Sequence, residues 1–145
     1  ALFAAAVGDR TEAALELTKE MLAKQVNLDY RTPINNVKSA EAELYKMEAD
    51  AEAARLLTLR AAWMADNRKP NSLEASVCKA KAGRITTALT LKCVELCSSL
   101  GYSYQSLLEK WSRNAKILDI FEGTQQIQQL IIARRLLKKS SSELK

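Results

Sequence analysis

Histidine is absent from this 145-residue chain, and glycine and proline are scarce, with four and two copies. Without histidine the chain cannot form a Ser-His-Asp triad or a zinc site with imidazole ligands, and we predict no metal site. So few glycines and prolines leave little material for the many turns of a β-rich fold. Alanine, leucine, lysine and glutamate dominate, and these residues favour helices. The composition therefore predicts an all-α domain.

Long apolar runs and an even set of cysteines are also missing. No stretch approaches the length of a transmembrane helix, and the apolar start at residues 1–7 is too short for a signal peptide. Cys78, Cys93 and Cys97 are odd in number and lie in helical patterns. We interpret them as reduced core thiols of an intracellular protein.

The net charge of +5 raises the question of an anionic partner. Charges of both signs are interspersed along the chain, and only the tail, with Arg134, Arg135, Lys138 and Lys139, is locally basic. No aromatic residue lies among these cations to stack on bases. We therefore expect solvated helix ends and no nucleic-acid partner.

Apolar residues recur in steps of three and four along most of the chain, which predicts amphipathic helices. The clearest stripe runs through Leu44, Met47 and Ala54, and a second one runs through Cys78, Ile85 and Cys93. The predicted helices cover residues 2–24, 36–67, 72–100, 105–116 and 124–139, with a break at 25–36, a turn at 67–72 and a frayed end at 140–145. Short connections between long helices predict an up-down antiparallel four-helix bundle with one short extra helix.

Glu122 has the most distinctive setting of the acidic residues. It follows an apolar run at residues 117–121 and precedes Gly123 and Thr124, which can begin a helix as its N-cap. Apolar neighbours would strip water from the carboxylate and raise its pKa, which would make it a stronger base. The alternative is that Glu122 only places a negative charge at the start of the last helix.

The same stretch resembles the carboxy-terminal signature of the flavin-dependent acyl-CoA dehydrogenases. The family usually reads RDAKI, then Tyr or Phe, then EGTxQIQ. Here Arg113 is followed by Asn114 in place of the Asp, and the segment from Phe121 to Gln128 reads FEGTQQIQ. A weaker likeness extends upstream over essentially the whole chain.

The resemblance implies a role for each residue of this signature. Glu122 would remove the α-proton of an acyl-CoA thioester, and its backbone N–H would hydrogen-bond the thioester oxygen. Phe121 and Gly123 would line the substrate site. Thr124, Gln125 and Gln126 would contact the cofactor, FAD.

The resemblance also implies partners. The family carries an amino-terminal helical domain and a middle β domain that these 145 residues lack, so we expect the chain to be inactive alone. It would join those domains in a homo- or heterotetramer, with electron-transfer flavoprotein as electron acceptor, in a bacterial cytoplasm rather than a mitochondrial matrix. Two alternatives remain open, a non-catalytic oligomerisation bundle and a relative of the acyl-CoA oxidase type.

Two departures from the family pattern concern the flavin that one subunit helps to bind in its neighbour. Where the family commonly has Arg, Phe, Gly and Gln after the first helix, this chain carries Asn27, Tyr30, Arg31 and Lys38. Where it has a Gln and two glycines before the short helix, this chain carries Glu95, Ser98 and Ser99. Replacing Arg and Gln in this way weakens binding of a pyrophosphate. We therefore hypothesise a heteromeric enzyme in which a related subunit supplies the missing half.

Overall fold

The protein is all-helical in its computed structural model, which describes residues 2–25, 38–140 and 143, with side chains from residue 10 onward except that of residue 25. The described helices are α1 (Leu2–Gln25), α2 (Ser39–Asp66), α3 (Ser72–Leu96), α4 (Ser98–Gly101), α5 (Leu108–Ile120) and α6 (Gln125–Leu137). The predicted all-α class is confirmed, with six described helices where the sequence predicted five. None of these helices is long and apolar enough to span a membrane.

Helix α3 lies at the centre of the up-down bundle and packs against α1, α2, α5 and α6. The stripe residues that the sequence singled out in α2 and α3 are all buried, which confirms them, and residues of α1 and α5 complete the core. The main buried cluster comprises Ala14, Leu15, Leu22, Leu44, Met47, Leu89, Cys93, Val94, Cys97 and Leu108. A smaller cluster of Ala54, Ala82, Ile85 and Leu118 lies between α2, α3 and the end of α5.

The end of α3 differs from the prediction that it runs to about Leu100. The helix stops at Leu96, and Ser98 adopts a left-handed backbone with φ of +52° before the short α4. Gly101, the first residue after the predicted helix 72–100, is therefore part of α4. A Cβ at Gly101 would lie 2.4 Å from the carbonyl oxygen of Val94, so this glycine permits two backbone segments to touch.

Helix α5 is also displaced from the prediction, because it begins at Leu108 and continues to Ile120. The sequence predicts that the apolar run at 117–121 lies outside the helix and leads into the turn. In the structure Leu118 packs into the smaller cluster one turn after buried Ala115, and this burial extends the helix. Helix α6 ends at Leu137, where Lys138 takes a left-handed conformation with φ of +54°.

The three cysteines are unpaired and buried, as predicted. Cys93 is fully buried, and burial raises the pKa of its thiol to about 11 although a hydrogen bond with Thr18 opposes the shift. Burial also raises the pKa of Cys97. Because the thiolate is the reactive form, we expect iodoacetamide at about pH 8 to leave both cysteines unmodified until urea unfolds the protein. Peptide mass spectrometry measures the labelling of each cysteine. If the native protein is labelled as fast as glutathione, the prediction is wrong.

Candidate active site

The turn between α5 and α6 carries the residue that the sequence singled out. Glu122 has a left-handed backbone with φ of +54°, and Gly123 follows with φ of +102°. Thr124 then occupies the N-cap position of α6. The prediction of a carboxylate on a turn before a helix is confirmed. The predicted N-cap position of Thr124 is confirmed, although its hydroxyl makes no capping hydrogen bond.

Gln128 holds the turn from inside α6. Its side chain is buried, and its Nε2 donates to the carbonyl oxygen of Glu122 at 3.3 Å. A Cβ at Gly123 would lie 2.6 Å from the same nitrogen. Sequence reasoning assigned Gln128 no role. Its position one helical turn after Thr124 was the available signal, because helical side chains point back towards the helix start.

Glu122 lines an open cavity of about 340 Å³ between α2 and α3. Alanines 61, 65 and 75 form part of the wall, and Lys79 and Gln128 also reach it. Glu122 itself is exposed. The predicted apolar shield is therefore not supplied by the part of the chain that the structure describes.

Lys79 of α3 lies directly beneath the turn and is only 8% exposed. Its ammonium donates to the carbonyl oxygen of Leu118 at 2.7 Å and lies 5.9 Å from the ring centroid of Phe121. Burial lowers the pKa of Lys79, and the negative charges of Asp119 and Glu122 oppose this shift. Sequence reasoning missed Lys79, because a lysine in a helical pattern is usually solvated.

Asp119, in the last turn of α5, forms the second buried charge of the site. Its carboxylate accepts hydrogen bonds from Lys116, at 2.8 Å, and from Nε2 of Gln125. The Gln125 nitrogen also donates to the carbonyl oxygen of Ala80 at 2.7 Å, which ties the start of α6 to α3. Burial acts to raise the pKa of Asp119, but the bonds from Lys116 and Gln125 outweigh it and hold the pKa below its usual range. Gly83 leaves room for this carboxylate, since a Cβ there would lie 3.1 Å from it.

The three residues predicted to contact a flavin face different ways. Gln126 is exposed. Thr124 is half-buried and its hydroxyl makes no capping hydrogen bond, so both side chains can donate to a polar cofactor edge. The first intrahelical bond of α6 runs from the N–H of Gln128 to Thr124, which leaves the preceding N–H groups available as donors. The side chain of Gln125 points inward to α3, so only its backbone N–H faces the helix start. This donor set fits the edge of a flavin ring, and the assignment stays a prediction.

The residues that depart from the family pattern are partly described. Glu95 is exposed and pairs with Lys92 at 2.8 Å, Ser98 occupies the left-handed break, and Ser99 is exposed. Lys38 lies exposed before α2. Asn27, Tyr30 and Arg31 lie outside the described residues.

Comparison with known proteins places this geometry in context. The family model for the acyl-CoA dehydrogenase carboxy-terminal domain matches residues 1–137. The short-chain specific acyl-CoA dehydrogenase of Bos taurus mitochondria is 36% identical over 113 residues, which are 78% of this chain and 27% of that protein. The probable acyl-CoA dehydrogenase YngJ of Bacillus subtilis is 34% identical over 106 residues, or 73% of this chain and 28% of that protein. The chain thus spans little more than a quarter of these curated relatives.

Solved structures share the fold. Butyryl-CoA dehydrogenase from Megasphaera elsdenii superposes with a TM-score of 0.82 and 30% identity, over 93% of this chain and 35% of that one. A chain in the structure of the electron transferring flavoprotein of Acidaminococcus fermentans gives a TM-score of 0.84 and 28% identity, over 94% of this chain and 36% of that one.

Proposed function

The chain belongs to the acyl-CoA dehydrogenase family, as its carboxy-terminal domain, and on this premise we propose that it supplies Glu122 as the base for FAD-dependent α,β-dehydrogenation of an acyl-CoA thioester. The observation that carries the proposal is the placement of Glu122, which lines the cavity between α2 and α3 on the turn just before the N-terminal N–H groups of α6. The left-handed backbone alone does not distinguish this residue, because Arg68, Ser98 and Lys138 share it at other helix ends. A carboxylate that only charged the start of α6 would not need to line a cavity.

The chain's own residues perform three tasks in this reaction. The carboxylate of Glu122 takes the α-proton of the thioester, and its backbone N–H donates to the thioester oxygen, which makes that proton more acidic. Thr124, Gln126 and the backbone N–H of Gln125 would hold the flavin. Bound FAD would supply the acceptor for the β-hydrogen, which leaves as hydride.

Exposed apolar side chains support a site that is completed by other domains. The last turn of α5 and the first turns of α6 expose Ile117, Ile120, Phe121, Ile127 and Leu130 by 40% or more. An apolar surface of this kind beside a proposed base fits burial against further protein. We infer that the remaining domains cover it and exclude water from Glu122, which would strengthen the base.

The test uses the intact protein that contains this chain. Its FAD content is measured, and it is mixed without oxygen with butyryl-, octanoyl- or palmitoyl-CoA. We expect one of these thioesters to bleach the flavin and yield the 2-enoyl-CoA. Reoxidation by electron-transfer flavoprotein but not by oxygen would support a dehydrogenase rather than an oxidase. A protein without flavin, inert to all three, would favour the oligomerisation bundle.

A heteromeric assembly is a further proposal, and the surroundings of Glu95 support it. This exposed carboxylate pairs with Lys92 at a position where the family offers a neutral amide to the neighbour's flavin. Ser98 and Ser99 place side chains where the family has glycines. Native mass and flavin content of the purified complex test the proposal. A second, related subunit with one flavin per two chains would support it, whereas one flavin per chain in a homotetramer would contradict it.

A further inference from the structure

The end of α5 leaves one backbone carbonyl in need of a donor. In a continuing helix the N–H of Glu122 would donate to the carbonyl of Leu118, four residues earlier. The bond before it persists, because the N–H of Phe121 donates to Ile117 at 3.0 Å. At Glu122 the backbone turns left-handed, and no backbone carbonyl of the described residues accepts from its N–H. The helix therefore stops with the Leu118 carbonyl and the Glu122 N–H separated.

Lys79 donates the hydrogen bond that the Leu118 carbonyl does not receive from the N–H of Glu122. Its ammonium reaches across from α3 and bonds the Leu118 carbonyl at 2.7 Å. A buried ammonium is costly unless charges and acceptors surround it. Here Asp119 and Glu122 both interact favourably with it. A neutral apolar residue would fill the same space without that cost, so packing alone does not explain a lysine.

We propose that Lys79 is a positioning residue for Glu122, because it occupies the carbonyl that a continuing helix would offer to the Glu122 N–H. The lysine thereby keeps this N–H directed away from α5 and fixes the left-handed turn on which the carboxylate stands. Gln128 holds the Glu122 carbonyl from the other side of the turn. Side chains of α3 and α6 thus form hydrogen bonds on the two sides of Glu122, Lys79 with the Leu118 carbonyl and Gln128 with the Glu122 carbonyl. This inference rests on the proposed role of Glu122 as the base.

A purely structural Lys79 would act differently. If the lysine only joined α3 to α5, its loss would lower stability and the amount of folded enzyme, and the folded fraction would retain its kcat. A positioning residue affects the reaction in folded molecules, so kcat falls while KM changes little. Amide hydrogen exchange adds a readout that is independent of activity.

The experiment compares Lys79→Met with Lys81→Met in the intact enzyme. Lys81 is the matched control, because it is exposed on the same helix. With butyryl-CoA or the best thioester of the series, we expect Lys79→Met to lower kcat about 100-fold, the scale of a misplaced catalytic group. KM should stay within about threefold. Amide exchange should quicken in the peptide covering residues 117–124 and not in the peptide covering 44–58, and Lys81→Met should match the wild type.

Two further variants give independent tests. Adding propylammonium to Lys79→Ala should raise its kcat at least about tenfold, because a free amine can bond the Leu118 carbonyl. If Lys79→Met does not fold, Lys79→Gln keeps a polar group in the buried site, but its arm is one bond shorter and draws the donor away from the Leu118 carbonyl. A selective loss of kcat in the Gln variant would support the proposal.

Wild-type kcat in a folded Met or Gln variant, or unchanged exchange at 117–124, would overturn the positioning role. Glu122→Gln is measured in parallel to separate this outcome from failure of the proposed function. If Glu122→Gln retains wild-type activity, Glu122 is not the base, whatever the Lys79 variants do. If Glu122→Gln is inactive and Lys79→Met is normal, only the role of Lys79 is wrong.

Discussion

Glu122→Gln is expected to lower kcat of the intact enzyme by about 10⁴-fold, the upper end of what a general base contributes. Glutamine has nearly the same shape as glutamate, but its amide cannot accept a proton at neutral pH. Glu122 is exposed and Gln128 bonds its backbone rather than its carboxylate, so the substitution should leave the fold intact. Stopped-flow flavin reduction by acyl-CoA under nitrogen measures the effect.

Glu52→Gln is the matched control for this prediction. Glu52 is exposed on α2 and pairs with Arg55 at 2.7 Å. Its substitution removes one negative charge, as Glu122→Gln does, but at a position away from the turn. We expect flavin reduction in this variant to equal that of the wild type. Glu122→Asp should fall between the wild type and Glu122→Gln, because it keeps a carboxylate on a shorter arm. A Gln variant that retains a tenth of wild-type activity would show that another group is the base.

Gly101→Ala is expected to have the largest effect on stability, about 3 kcal/mol in the free energy of unfolding. The added Cβ would lie 2.4 Å from the carbonyl oxygen and 2.9 Å from the Cα of Val94. Both are backbone atoms, so a side-chain rotation cannot relieve the clash and α4 must move away from α3. Urea unfolding followed by circular dichroism measures the loss as a lower midpoint.

Ser99→Ala is the control for Gly101→Ala, because Ser99 is an exposed residue of the same short helix. We expect its unfolding midpoint to stay close to that of the wild type. Equal midpoints for the two variants would mean that α4 shifts at no cost and that the approach to Val94 is not a constraint.

The long helices could be predicted because their apolar spacing is regular. The stripe through Leu44, Met47 and Ala54 becomes the buried face of α2, as its period requires. The end of α3 could not be predicted, because the left-handed backbone of Ser98 carries no sequence signal. In the sequence, Gly101, three residues later, is the residue type that commonly ends a helix. It serves a close backbone approach instead, which depends on tertiary structure.

The candidate site was predictable in its local part and not in its long-range part. Glu122, Gly123 and Thr124 are residue types that favour a turn before a helix, so the sequence located the turn. The roles of Lys79 and Asp119 depend on contacts with distant segments, and isolated charges in helical patterns are normally solvated. The inward direction of Gln125 was likewise hidden, because it depends on the Ala80 carbonyl of another helix.

The central position of α3 bears on the order in which the chain folds. Helices α2 and α3 follow one another across a short turn, so their contacts close early and at low entropic cost. Lys79 and Leu118 are 39 residues apart, and Gln125 and Ala80 are 45 apart. Closing loops of this length costs more entropy than closing the short α2–α3 turn, so we expect these contacts to form after the transition state. Weakening them should therefore accelerate unfolding and leave the folding rate nearly unchanged, so α3 takes part in both the earliest and the latest steps of folding.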